Sequence, residues 1–136
     1  MAHRNRRALV TGAAGGLAAG IAPALARDGF GSVTITYRST PPDATLASIE
    51  GAGCAAAAQR VDFLEQPQAV ESALAEAVRS QGPFDTLVHA VGPLLVRRFE
   101  QSTLDEYREI LDGNLRSAVL AARAVLPAMR EKRFGR

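Results

Sequence analysis

The sequence predicts an α/β protein, a doubly wound parallel sheet with helices on both faces. Three observations carry this. Short apolar or β-branched runs alternate with segments of helical spacing. A glycine-rich turn, LVTGAAGGLAAG at 9–20, joins the first strand directly to the first helix. No repeat, low-complexity linker or domain boundary divides the 136 residues.

Each element has its own signature. RRALVT (6–11) is a short buried strand, and residues 16–28 form a helix with apolar residues at helical spacing, closed by Gly29 as its C-cap. SVTITYRS (32–39) is β-branched and strand-like. PPDATLASIEGAG (41–53) is a short helix ending in glycines, and AAAAQRVDF (55–63) is a third strand. Pro67 fits the first turn of a helix that runs to about Ser80. FDTLVHAVGP (84–93) is a fourth strand stopped by Gly92 and Pro93. Thr103 and Glu106 form a capping box before a long amphipathic helix, 103–129. Its apolar stripe is Leu104, Tyr107, Leu111, Leu115, Ala118, Ala122, Val125 and Met129, and Pro127 should bend it near its end.

Composition narrows the function classes. Hydrophobic residues are 47% and charged residues 22%, the balance of one soluble globular domain with a sizeable core. Aromatics are only 5%, so alanine and aliphatic packing must build that core. No window has the apolar length of a membrane span and the opening MAHRNRR lacks a signal-peptide core, so a cytoplasmic protein with no membrane partner is expected. The net charge is only +2, and the arginines at Arg4, Arg6, Arg7 and in the closing REKRFGR lack interleaved aromatics, so no nucleic-acid partner is expected. The single cysteine, Cys54, excludes an internal disulfide and reads as buried filler, and with two distant histidines it makes no metal site.

The glycine run is the candidate site. A strand that turns straight into a helix presents unpaired N–H groups and a positive dipole end, an anion site if no Cβ blocks the approach. Gly12 permits the turn, and Gly15 and Gly16 would let a pyrophosphate approach the backbone. A tight turn that merely packs small residues is the other reading of the run alone.

TGAAGGL resembles the cofactor loop of the short-chain dehydrogenase/reductase family, Thr-Gly, three residues, then Gly-x-Gly; Thr11, Gly12 and Gly16 match, and Ala18 stands for the last glycine. ILDGNLRSAVLAARAVLPAMREKRFGR (110–136) is similar to the long helix of the single-domain members, with Asn114 at their characteristic asparagine. Asp62 matches the aspartate that holds the adenine amino group, with Phe63 as a neighbouring backbone contact. LVHAVG stands where the family writes Asn-Asn-Ala-Gly, so His89 and Ala90 replace both asparagines and Gly92 is kept. His89 would line the adenosine ribose or be a strand-end histidine satisfied by backbone. The resemblance implies a Rossmann sheet of order 3-2-1-4. It implies cofactor contacts from Gly12, Gly15, Gly16, Leu17, Tyr37, Arg38, Ser39, Asp62, Phe63, His89, Ala90 and Gly92, with Asn114 as a catalytic-site residue whose backbone holds a water in the proton path.

A free ribose 2′-hydroxyl is read by a carboxylate and a 2′-phosphate by arginine. Nothing acidic lies between Asp28 and Asp43, whereas Arg38 offers a planar fork and Ser39 a hydroxyl, so NADP is expected ahead of NAD.

The family's proton donor, a Tyr-x-x-x-Lys pair, is absent by count. The one lysine, Lys132, is preceded four residues earlier by Ala128, and neither Tyr37 nor Tyr107 has a lysine at that spacing. The resemblance places the catalytic serine and this pair after RFGR, so residues 1–136 read as a dinucleotide-binding unit incomplete at its C-terminal end. That fits the N-terminal part of a reductase of about 250 residues, a short product that binds cofactor without catalysis, or a subunit completed by a second chain. The implied function is NADP-dependent hydride transfer at a carbonyl or alcohol, a 3-oxoacyl thioester being one class put forward. The chain alone is expected to bind cofactor without turnover and to form a homo-oligomer through helix 103–129. The alternative is a non-catalytic dinucleotide-binding or assembly module.

Overall fold

The computed structural model describes residues 5–12 and 15–136. Arg4 and the Ala13 and Ala14 of the glycine-rich turn lie outside them. Strands β1 (Arg7–Thr11), β2 (Ser32–Tyr37), β3 (Ala55–Arg60) and β4 (Thr86–His89) form a parallel sheet of order β3-β2-β1-β4. Between them run α1 (Gly16–Arg27), α2 (Asp43–Gly51) and α3 (Pro67–Gln81), and α4 (Leu104–Leu111) and α5 (Ser117–Glu131) come after β4.

Strand alternation builds two cores. Ala8, Val10, Val33 and Ile35 face α1 and α2, where they meet Ala18, Ala22, Ala26 and Ile49. Leu9 faces the other way, into Val70, Leu74 and Ala77 of α3 and Leu120, Ala121 and Val125 of α5. Full burial of a side chain such as Leu9 or Leu74 contributes about 1.5–3 kcal/mol. Ala18 is buried in the first of these cores, which is why the family's glycine can be alanine here. Cys54 is buried beside it, and desolvation pushes its thiol pKa up, against a reactive role.

Local chemistry sets the ends of the helices. Gly29 (φ +89) and Gly53 (φ +77) close α1 and α2 with paired bonds, Phe30 N–H to the Leu25 carbonyl and Gly29 N–H to Ala26, then Cys54 N–H to Ile49 and Gly53 N–H to Glu50. Pro67 opens α3, and Thr103 and Glu106 make the reciprocal capping box of α4.

The predicted single helix over 103–129 is two helices. A π turn, Asp112–Arg116, separates α4 from α5, and α5 continues through Pro127 to Glu131. The extra residue in that turn rotates α5 relative to α4, so the buried face is Gly113, Ser117, Leu120, Ala121 and Val125. Of the predicted stripe, Val125 is buried, whereas Leu104, Leu111 and Leu115 are 75%, 57% and 63% exposed. The predicted stripe assumes uninterrupted α-helical spacing, and the π turn breaks that spacing between Leu111 and Ser117, so the positions before and after it no longer share one face.

On the outer edge of β4, Arg136 donates its N–H to the Asp85 carbonyl at 3.0 Å and accepts the Leu87 N–H at 2.7 Å. This is the bond pair of a parallel strand neighbour, so the chain's last residue already stands in ladder position beside β4.

Candidate cofactor site

The site forms where β1, β2 and β4 release their carboxyl ends on one side of the sheet. β1 ends in Gly12, whose φ of +80 suits glycine, and whose N–H donates to Thr36 Oγ1 at 3.2 Å. A Cβ there would lie 3.0 Å from the Ala90 carbonyl oxygen and 3.1 Å from Val91 Cγ2, so glycine also permits the close approach of the chain after β4.

Gly15 is different. Its φ of −175 is extended backbone open to any residue, and a Cβ built on it meets nothing within 4 Å among the described residues outside its chain neighbours. Neither conformation nor packing requires glycine at this position. Gly15 is the N-cap of α1, which has no side-chain cap and no acidic residue in its first turn. Free N–H donors beside open space fit a phosphate group. Gly16 (φ +58) has the same open surroundings and does need glycine for its backbone.

A cleft of about 340 Å³ opens from this turn. Gly12 and Gly15 form one end, and Tyr37, Arg38, Asp62 and Phe63 form a side. Ala90, Val91, Gly92 and Pro93 form the opposite side, with Glu109 and Gly113 beyond them. Arg38 Nε lies 3.4 Å from Asp62 Oδ2, while Asp62 Oδ1 accepts the Leu64 N–H at 3.0 Å. The guanidinium is therefore engaged on its Nε side, with both Nη groups outside that pair.

His89 is not part of the cleft wall. Its Nδ1 lies 2.9 Å from Thr11 Oγ1 and its Nε2 2.9 Å from Ser117 Oγ, and its ring meets Phe63 edge-on. Its partners are the hydroxyls of Thr11 and Ser117, 78 and 28 residues away in sequence, rather than the backbone groups expected of a strand-end histidine. Burial lowers its pKa, favouring the neutral ring.

Asn114 sits on the π turn, its Nδ2 donating to the carbonyls of Pro93 (3.0 Å) and Ile110 (2.9 Å). A Cβ at Gly92 would collide with Asn114 Oδ1, and one at Gly113 with the Pro93 ring. Two glycines thus let the turn press against the chain leaving β4.

Eight of the sequence-predicted contacts, Gly12, Gly15, Tyr37, Arg38, Asp62, Phe63, Ala90 and Gly92, line one cleft. Gly16, Leu17, Ser39, His89 and Asn114 are not in its wall; Leu17 and Ser39 are exposed at the start of α1 and beyond Arg38. Sequence reasoning missed Thr36, Val61, Leu64, Val91, Pro93, Glu109 and Gly113 of the cleft lining. The alternation of SVTITY, which puts Thr34 and Thr36 on one face, was the available signal for the first. Nothing in DGN announced a π turn. Among the described residues no group of three or more His, Cys, Asp or Glu side chains could hold a metal ion.

The model of the short chain dehydrogenase family matches residues 6–136. An uncharacterised oxidoreductase of Methylorubrum extorquens is 37% identical over 119 residues, covering 86% of this chain and 47% of that protein. A short-chain type dehydrogenase/reductase from Mycobacterium marinum superposes with a TM-score of 0.84 at 29% identity, covering 94% of this chain and 51% of that one. A blue fluorescent protein from a metagenomic library, in complex with NADPH, superposes with a TM-score of 0.81 at 30% identity, covering 91% of this chain and 51% of that one. The chain spans about half the length of the relatives it matches. A Thr-Gly turn into an uncapped helix, a parallel sheet of order β3-β2-β1-β4 and a family match over nearly every residue lead to one conclusion: the chain belongs to the short-chain dehydrogenase family.

Proposed function

We propose that this chain is the cofactor-binding portion of an NADP-dependent oxidoreductase acting on a carbonyl or alcohol. The observation that carries the reading is Gly15, a glycine that neither its extended backbone nor its contacts with the described residues beyond its chain neighbours require, at the uncapped start of α1. Such a position suits a ligand phosphate, and the NADPH held by the metagenomic neighbour supports the choice of ligand.

In this reading Gly12, Gly15, Gly16 and Leu17 hold the pyrophosphate from the turn and the first turn of α1. Tyr37, Arg38 and Ser39 meet the adenosine ribose, and the Nη groups of Arg38 grip a 2′-phosphate bidentately. Asp62 and Phe63 take the adenine edge. Ala90 and Gly92 form the opposite wall, close enough for van der Waals contact because neither is large. Asn114 spends its side-chain amide on Pro93 and Ile110, and its backbone carbonyl, which also lies 3.3 Å from Ser117 Oγ, would orient a water in the proton path. The nicotinamide supplies or accepts the hydride when bound. The substrate is a carbonyl compound or alcohol, with 3-oxoacyl thioesters as the first class to assay.

The same reading places the protein in the cytoplasm as a homo-oligomer built on α4 and α5. The exposed Leu104, Leu111 and Leu115 support the interface. No helix among the described residues is long and apolar enough to cross a membrane.

A second reading is cofactor binding without catalysis, and these 136 residues hold no Tyr-x-x-x-Lys pair that would decide between the two. Paired titrations with NADPH and NADH, followed by turnover assays on the chain and on a version extended to the length of its relatives, separate the two. The expected result is NADPH binding by both and turnover by the extended version alone, because general acid catalysis contributes about 10²–10⁴-fold. Failure of the chain to bind either cofactor would overturn the assignment.

A further inference from the structure

We infer that His89 is a positioning residue: as the neutral Nε2–H tautomer it holds the π turn, and so Gly113 and Asn114, in place through Ser117. The inference rests on the oxidoreductase reading only for its functional consequence, since Asn114 is the residue that the turn presents.

The geometry fixes the proton assignments. In the π turn the Ser117 N–H bonds to the Asp112 carbonyl, five residues back. The Gly113 carbonyl, four residues back, thereby loses its helical partner, and the Ser117 hydroxyl takes that place, donating to Gly113 O at 2.6 Å. A hydroxyl has one proton. With it committed to Gly113, Ser117 Oγ can only accept from His89, so Nε2 carries the hydrogen across the 2.9 Å contact. His89 Nδ1 is then an acceptor and takes the Thr11 hydroxyl proton at 2.9 Å. Thr11 Oγ1 in turn accepts the Ala90 N–H at 3.1 Å. The Ser117 hydroxyl also lies 3.3 Å from the Asn114 carbonyl, a second acceptor on the turn that likewise keeps its proton away from His89, and Thr11 and Ser117 are fully buried.

The series runs from the last residue of β1, next to the glycine turn, through β4 to the carbonyl freed by the π turn. An asparagine at 89, the residue written there by the resembled family, is too short to span both hydroxyls. A longer side chain with a donor at its tip is what Ser117 requires, and histidine provides it while also accepting from Thr11.

The test uses the whole 136-residue chain. Ring nitrogen-15 resonances of His89, told apart from those of His3 by His3→Gln, report the tautomer at neutral pH. Backbone amide resonances of Gly113 and Asn114 report the turn, and NADPH titration reports the site. We expect the Nε2–H tautomer. Ser117→Ala and His89→Asn should each move the Gly113 and Asn114 amides and weaken NADPH by about five-fold, the value of one neutral hydrogen bond. The double variant should be little worse than either single one, because both cut one connection. His89→Gln, whose amide nitrogen reaches as far as Nε2, should restore the amide positions and the affinity to within about two-fold. An Nδ1–H tautomer, unmoved Gly113 and Asn114 amides in Ser117→Ala, or His89→Gln behaving like His89→Asn would overturn the inference. If the unaltered chain binds no NADPH, the function proposed above falls, and the ring and amide signals alone decide the role of His89.

Discussion

Arg38 Nε stands 3.4 Å from the Asp62 carboxylate, tying the end of β2 to the chain just past β3. The arginine side chain is 68% exposed and the aspartate 17%, so the pair adds little stability. Its effect is on direction, since a guanidinium held at Nε turns its remaining donors to one side. Arg38→Ala should weaken NADPH by about one to two decades, from a charge-assisted contact of about 1.5–3 kcal/mol, and leave NADH nearly unchanged. Tyr37→Asp should go further and favour NADH. Paired isotherms check this, and parallel weakening of both cofactors would show that Arg38 does not read the 2′ position.

Gly16→Val addresses what the two cofactors share. At φ +58 a β-branched residue is strained, and its side chain enters space that is otherwise open. NADPH and NADH should weaken together, in contrast to Arg38→Ala. Unchanged isotherms for both would mean that the turn holds no pyrophosphate.

Gly92→Ala tests the contact between the chain leaving β4 and the π turn. The new methyl would strike Asn114 Oδ1 and threaten the bonds to Pro93 and Ile110. Overpacking of this kind costs about 1–3 kcal/mol. Urea unfolding should show that loss, and an unaltered midpoint would mean that the turn is free to withdraw.

His89 sets a pH dependence whose sign is fixed by burial. Its folded pKa is lowered, so below the ordinary histidine value the unfolded chain binds a proton that the folded chain refuses. The stability from the neutral ring is complete above that value and lost as pH falls through the folded pKa. Unfolding free energy should therefore drop as pH falls below the ordinary histidine value. His89→Gln should flatten that slope, and identical slopes in the two proteins would contradict the assignment.

Association is expected from two surfaces. β4 offers most of an outer edge, with only Arg136 beside it among the described residues, and Leu104, Leu111 and Leu115 project from the α4–α5 segment. Sedimentation at about 10–50 μM, a range in which exposed edges associate, should show species larger than a monomer. A Leu111→Glu, Leu115→Glu variant should shift the distribution towards monomer, and a compact monomer for the unaltered chain would remove the helix interface from the reading.

Sequence alone determined the strands, the caps and the glycine-rich turn, because these depend on nearest neighbours along the chain. β-branched alternation makes β2 whichever partner it finds, Thr103 and Glu106 cap α4 within four residues, and Gly29 ends α1 through its own backbone freedom. Arg38 and Asp62 were each legible as well, one by the lack of an acid after β2 and the other by its place after β3. Only the tertiary structure decided that they touch, that Gly15 borders open space, and that His89 faces two hydroxyls. It also decided that 103–129 breaks at Asp112–Arg116, where Gly113 and Asn114 pack against Pro93 and Gly92. Local spacing records what a segment prefers, whereas a contact between residues some twenty positions apart forms only once the sheet has fixed both of them in space.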